Sequence, residues 1–168
     1  MKETFDIERI YDTYALRLYR ISLRIVGDEG DAEEIMHDTL LKLHELRRKD
    51  EILDLASWLS SVCIRKSIDR VRQKYRYKDF LSRYASEDRD EDERIEMDQG
   101  YDMESIRNAL ASLPDHYRLV LTLHLFEGYD YQEISQITGS KETSIRTLYM
   151  RGRQRLAKQL KEQNYGRS

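Results

Sequence analysis

Apolar residues recur through most of this chain at three- and four-residue steps, and a single proline, Pro114, interrupts the pattern. That spacing gathers side chains on one face of an α-helix, whereas a half-buried strand would alternate every second residue. Ile7, Ile10, Tyr11, Tyr14, Leu18, Ile21 and Ile25 form a first stripe that ends near Gly27. A second helix is expected after Asp31, with Ala32, Ile35, Met36, Leu40, Leu43 and Leu46 inward and Glu33, Glu34, His37, Asp38, Leu41 and Lys42 on other faces. A third is expected to start around Ser57 as N-cap and to bury Trp58, Leu59 and Val62 before its seam drifts toward Ile64, Ile68 and Val71. With few alternating β-branched runs and many Leu, Arg, Glu and Lys, the spacing predicts an all-α fold opening with a small N-terminal helical bundle.

A chain of 168 residues suits one ordinary domain or two small ones, and 39% hydrophobic content implies small cores. Two domains fit better, because the apolar rhythm lapses after Gln73 and resumes at Ile106. The second begins with Ile106, Ala109, Leu110 and Leu113. Pro114 then stands at a helix start before the apolar "RLVLTLHLF", which Glu127 and Gly128 stop. Asp130 and Glu133 have the spacing of a capping box for a short helix through Thr138. Gly139 suits a left-handed turn into a last helix, so the C-terminal domain is read as four helices ending in a helix-turn-helix. The expected division is 1–78, a linker at 79–102, 103–163 and a tail at 164–168.

Net charge is only −3, but its sign alternates along the chain. Arg65, Lys66, Arg70, Arg72, Lys74, Arg76 and Lys78 make one basic block. The run "EDRDEDERIEMD", Glu87 to Asp98, is acidic, and basic residues dominate again from Lys141. Two polyanion-facing surfaces joined by an acidic, flexible linker are expected, with a salt-sensitive contact between that run and a basic helix. On the last helix, Ile145, Leu148, Gly152 and Leu156 are read as the packed side, while Arg146, Thr147, Met150, Arg151 and Gln154 point outward. A helix entering a major groove needs that division. Arginine can bond guanine edges or phosphates, and Thr and Met offer hydroxyl and apolar contacts to bases.

Three stretches in order resemble the extracytoplasmic-function (ECF) group of sigma-70-family sigma factors: "DAEEIMHDTLLKL", "ASWLSSVCIRKSIDRVRQ" and "SLPDHYRLVLTLHLFEGYDYQEISQITGSKETSIRTLYMRGRQRL". The resemblance implies a non-enzymatic subunit, without cofactor or metal, that binds core RNA polymerase at its clamp and flap and directs promoter-specific initiation. Asp31, Glu34, His37, Asp38, Leu41 and Lys42 would meet the polymerase. Asp54, Leu55, Ala56, Trp58, Arg65, Lys66, Arg70 and Arg72 would melt and hold the −10 element, capturing a flipped base. Thr143, Ser144, Arg146, Thr147, Met150 and Arg151 would read the −35 element. An anti-sigma factor is the further implied partner, bound 1:1, the free protein being a monomer.

This chain departs from the family pattern in places. His37 and Asp38 stand where a Gln-Glu pair is usual, Arg65 stands for an asparagine, Leu148 and Met150 replace an arginine and an aromatic or histidine, and Lys141 replaces a serine cap. Ser140 is expected to take over that cap. Arg65 cannot accept a hydrogen bond as an asparagine carbonyl does, which favours a phosphate contact.

Other chemistries are weaker. Glu29, Asp31, Glu33, Glu34, His37 and Asp38 could hold magnesium in a helical nucleotide hydrolase, but the facing Trp58 helix supplies Arg65, Lys66 and Arg70 instead of further carboxylates. His116 with His124 and His37 with His44 lack the spacing and the cysteine partners of a zinc site and read as surface or boundary histidines. A helix-turn-helix regulator, or a sigma mimic that titrates an anti-sigma factor, would leave the tryptophan-led basic helix unexplained. Lone Cys63 excludes an internal disulfide, and the sequence shows no signal peptide or membrane-spanning run, so a cytoplasmic protein without membrane insertion is expected.

Overall fold

The computed structural model describes residues 6–46, 48–75, 79–87 and 100–165. It divides into two compact units, Met1–Val71 and Arg72–Ser168. The described residues form helices and turns and contain no strand.

The first unit holds α1 (Ile7–Val26), α2 (Glu29–Glu45) and most of α3 (Leu55–Gln73). Asp6 caps α1 by accepting the Glu8 and Arg9 backbone N–H groups, and Gly27 ends it in the left-handed region at φ 72°. α2 starts two residues before Asp31. Asp28 is its N-cap, taking the Asp31 N–H at 2.8 Å, so Asp31 lies inside the first turn. α3 likewise starts before Ser57, because Asp54 receives both the Ser57 N–H (3.2 Å) and the Ser57 hydroxyl (2.7 Å). These bonds also hold the Asp54 carboxyl below its ordinary range, with the Ser57 hydroxyl the largest cause.

Leu18, Ile21, Ile25 and Val26 of α1, Ala32, Ile35, Met36 and Leu43 of α2, and Leu59, Ile64, Ile68 and Val71 of α3 make the core. The seam of α3 differs from the expected one. Trp58 and Val62 are only half-buried, while Cys63 and Ser67 are fully enclosed. Their small side chains suit close approach to α1: Cys63 Sγ donates to the Leu18 carbonyl at 3.4 Å, and Ser67 Oγ donates to Ser22 Oγ at 3.0 Å. The stripe on α1 also stops short, since Ile7 and Tyr11 stay largely exposed beside the last turns of α2.

The second unit holds α4 (Phe80–Glu87), α5 (Met103–Ala111), α6 (Asp115–Leu121), α7 (Tyr131–Thr138) and α8 (Glu142–Tyr165). Pro114 stands at the N-cap of α6, and a π-helical turn, Thr122–Phe126, prolongs that helix before the break at Gly128. α6 is the buried centre: Tyr117, Leu119, Val120 and Leu121 have no exposed surface. α8 crosses it closely at Gly152, where a β-carbon would stand 3.2 Å from Tyr117 Cδ1 and 3.3 Å from Leu121 Cδ1. His116 is buried against the Tyr84 ring, 4.0 Å between centroids, and so is no surface histidine.

The two compact units divide between Val71 and Arg72, inside α3. The first residues of the expected linker form α4, packed on α6 and α8. Phe80 and Leu81 are buried there, so α4 belongs to the second unit as a fifth helix. The remaining linker at 88–99, with the contact expected of the acidic run, lies outside the described residues.

Candidate nucleic-acid and polymerase interfaces

On α2 the polar face is built as the apolar stripe requires. Glu34, His37, Leu41 and Lys42 are exposed and Asp38 is half-buried, while Ile35, Met36, Thr39 and Leu43 face the core. His37 stacks on Tyr11 with ring centroids 5.9 Å apart and sits 3.7 Å from the Glu33 carboxylate. Leu41 stands out as a half-exposed leucine among charges. Asp31 and Glu34 are engaged from α3: Arg70 Nη1 donates to Asp31 Oδ1 at 2.6 Å, and Arg70 Nη2 lies 3.3 Å from Glu34 Oε1. The Glu34 hydrogen bond is the largest influence raising the Arg70 guanidinium above its ordinary value. Arg70, expected to face −10 DNA, thus pairs with two residues expected to face the polymerase. Among the described residues no group of three or more His, Cys, Asp or Glu side chains comes together as a metal site.

Of the expected −10 residues, Asp54, Leu55, Ala56 and Trp58 stand at the start of α3. An open cavity of about 440 Å³ lies between this helix and the preceding loop, lined by Leu46, Arg48, Glu51, Ile52, Leu53, Asp54 and Trp58. Leu53 is fully exposed at its rim, and Leu55 and Ala56 are half-buried beside it. Arg65 is exposed and Lys66 half-buried farther along α3. A concave opening flanked by Trp58 is of the kind that can admit an unstacked base, and the arginine and lysine farther along the helix are of the kind that contact phosphates. Arg48 and Glu51, which pair at 3.2 Å, were not anticipated as lining, since nothing in their local pattern marks them. Arg72, the first residue of the second unit, donates to the Thr138 carbonyl.

The helix-turn-helix is assembled by local bonds. Asp130 accepts the Glu133 N–H at 2.8 Å and Glu133 accepts the Asp130 N–H at 3.2 Å, which completes the capping box of α7. Gly139 ends α7 at φ 74°, and Ser135 Oγ donates to the Ser140 carbonyl at 2.6 Å, closing the turn. Ser140 does not cap α8 with its side chain. It is buried, and its hydroxyl donates to Asp79 Oδ1 at 2.6 Å.

On α8, Ile145, Leu148 and Leu156 are fully enclosed, as the periodicity predicts. The opposite face presents Thr143 and Arg146 exposed, Ser144 and Thr147 half-buried, and Met150 54% exposed. Arg146 is braced by Glu142 at 3.4 Å and by the Tyr131 ring, 5.4 Å from the centroid. Arg151 departs from expectation: it is half-buried, and its Nη1 donates to the Ala85 carbonyl of α4 at 2.7 Å.

Two family models match the chain: Sigma-70 region 2 over residues 10–77 and Sigma-70 region 4 over residues 103–156. The chain is similar to the ECF RNA polymerase sigma factor SigE of Mycolicibacterium smegmatis, 29% identical over 150 residues, 85% of this chain. It spans 57% of the length of that relative. It is also similar to the ECF RNA polymerase sigma factors SigM and SigW of Bacillus subtilis, each 26% identical. Those alignments cover 89% and 91% of this chain and 92% and 88% of the relatives. A solved structure of the sigma factor RpoE, in complex with the anti-sigma factor NepR from Bartonella quintana, shares the fold. Its TM-score is 0.57 at 21% identity, covering 94% of this chain and 98% of that one. With both regions matched in order and built as helical units of the kind described above, the chain belongs to the sigma-70 family of promoter-recognising RNA polymerase subunits, in its ECF group.

Proposed function

We propose that the protein binds core RNA polymerase through the outer face of α2, holds the −10 strand against the cavity beside Trp58, and reads the −35 element with α8, so directing promoter-specific initiation. The observation that carries this reading is the division of α8, with Ile145, Leu148 and Leu156 buried and Arg146, Thr147 and Met150 outward. His37, Asp38, Leu41 and Lys42 are the α2 residues left to meet the polymerase, since Asp31 and Glu34 are shared with Arg70. Arg65 and Lys66 serve phosphates along the melted strand. The Arg70 pairing leaves the acidic α2 cluster without a vacant carboxylate pair on that side, which disfavours the magnesium hydrolase.

The structural relative was solved with an anti-sigma factor, which supports a protein partner of that kind for this chain, bound 1:1. A subunit that works with polymerase would act in the cytoplasm, which is the localisation this reading carries. No helix among the described residues is long and apolar enough to cross a membrane. In vitro transcription with core polymerase on a library of bacterial promoter fragments tests the proposal. Initiation from a defined set of start sites is the expected result. DNA binding without initiation would instead identify a regulator, and neither binding nor initiation a mimic. A His37→Glu/Asp38→Lys variant should keep its helical content and lose affinity for core polymerase.

A further inference from the structure

The contact between Arg151 and Ala85 joins a residue expected to read DNA to a helix that no sequence signal assigned to this domain. Ala85 lies in the last turn of α4, where backbone carbonyls have no partner within the helix and carry the negative end of its dipole. A guanidinium bonded there makes the same kind of bond it would make to a phosphate oxygen or to a guanine edge. The other end of α4 is tied to the helix-turn-helix itself. Asp79 accepts the Ser82 N–H at 3.2 Å, capping α4, and the same oxygen receives the Ser140 hydroxyl from the turn before α8. Between these ties, Phe80 and Leu81 are buried and Tyr84 stacks on His116. From Asp79–Ser140 to Ala85–Arg151 the short helix runs beside the first half of α8, the half that carries the outward reading residues.

We propose that α4 is a removable cap on the DNA-reading helix: its C-terminal carbonyl end occupies Arg151 in place of a DNA acceptor, and α4 must leave before Arg151 meets DNA. The proposal rests on the −35 reading of α8. A helix is about 10–12 Å across with its side chains, so one lying along α8 excludes a duplex from that side. Release is feasible because α4 has only eight residues, too few to persist once its packing is lost. Undocking and unfolding are then one event.

The test uses the full chain and an Asp79→Ala/Tyr84→Ala variant, which removes the cap residue of α4 and its aromatic anchor without touching α8. Phenylglyoxal labelling of Arg151, read by mass spectrometry, reports whether the guanidinium is covered. Fluorescence anisotropy with a 20-bp duplex pool of randomised sequence at low salt reports DNA affinity. In the variant, labelling of Arg151 should speed up by about tenfold and duplex affinity should rise by about fivefold, since a capped state lowers apparent affinity by the fraction of molecules that are open. Adding Arg151→Ala to the variant should abolish that gain. Equal labelling rates in parent and variant overturn the cap. Faster labelling with no gain in affinity also overturns it, while loss of binding on Arg146→Ala shows that the −35 reading survives. If Arg151→Ala leaves binding unchanged in both backgrounds, the cap fails; the −35 reading fails only if Arg146→Ala is silent as well. Should the double variant melt below assay temperature, Ser140→Ala, which cuts one tie only, must still give about a twofold rise in labelling.

Discussion

Arg70 of α3 and Asp31 of α2 are joined by a 2.6 Å bond between Nη1 and Oδ1, with both side chains about a quarter exposed. The first prediction follows from that exposure. Arg70→Ala should lower the stability of the first unit by about 1 kcal/mol, as a partly solvated pair with charge-assisted geometry does. Arg70→Lys should recover only part, because one ammonium cannot serve Asp31 and Glu34 as the forked guanidinium does. Thermal melts of both variants check this, and equal melting of Arg70→Ala and the parent would count against a structural pair.

Arg146 and Leu148 lie two residues apart on opposite sides of α8. Arg146→Ala should keep the fold and weaken DNA binding, by about 1–3 kcal/mol with relaxed preference at one base if it reads a guanine, or evenly across sequences if it contacts phosphate. Leu148→Ala should cost roughly 2–5 kcal/mol in the stability of the second unit, as a fully enclosed leucine does. Melts paired with duplex binding separate the two. A Leu148→Ala variant that melts like the parent but loses DNA would reverse the assignment of faces.

Gly152 offers a finer probe. Alanine gains about 1 kcal/mol of helix propensity over glycine, but its β-carbon would press on Tyr117 and Leu121 at 3.2–3.3 Å. These opposed effects should leave Gly152→Ala within about 1 kcal/mol of the parent. Gly152→Val adds volume that the α6 crossing cannot yield, and it should destabilise by about 1–3 kcal/mol. Denaturant midpoints decide it, and a valine variant as stable as the alanine one would mean that α6 and α8 part easily.

Asp79 sets the acid response of α4. Burial alone would raise its carboxyl, but hydrogen bonds from Ser140 and Ser82 and the charge of Lys141 outweigh this and hold it below the ordinary 3.8. A carboxylate depressed in the folded state contributes stability above its ordinary value and loses it as pH falls through the depressed one. Protection of α4 amides should therefore be flat from neutral pH to about 5 and decline only below 3.8. Asp79→Asn should remove the decline. An unchanged acid profile in that variant would place the sensitive group elsewhere.

The features legible in the sequence were those settled within one or two turns. The Asp130–Glu133 capping box, the left-handed Gly27 and Gly139, and the inward set Ile145, Leu148 and Leu156 all follow from spacing and cap chemistry. Helix starts were harder where acids crowd together: Asp28 and Asp31 are both plausible caps three residues apart, and only the backbone shows which oxygen takes the N–H. Ser57 misled for a similar reason, because its hydroxyl donates to Asp54 instead of capping. Phe80, Leu81 and Tyr84 carry a helical step, but two turns of it among charges and other aromatics cannot be told from a linker without α6 and α8 to pack on. The pairing of Arg70 with α2, and of Arg151 with α4, is tertiary and leaves no mark on local periodicity.

Cys63 is the only thiol in the chain, and it is sealed against the Leu18 carbonyl at the heart of the first unit. Any reagent that needs a free thiolate must wait for α1 and α3 to part. The rate at which a thiol reagent consumes Cys63 is therefore a clock for opening of the first unit alone, blind to the second. With native protein the clock runs slowly and speeds up with denaturant. Core polymerase bound at the face of α2 proposed above should slow it further wherever that contact stiffens the three-helix core.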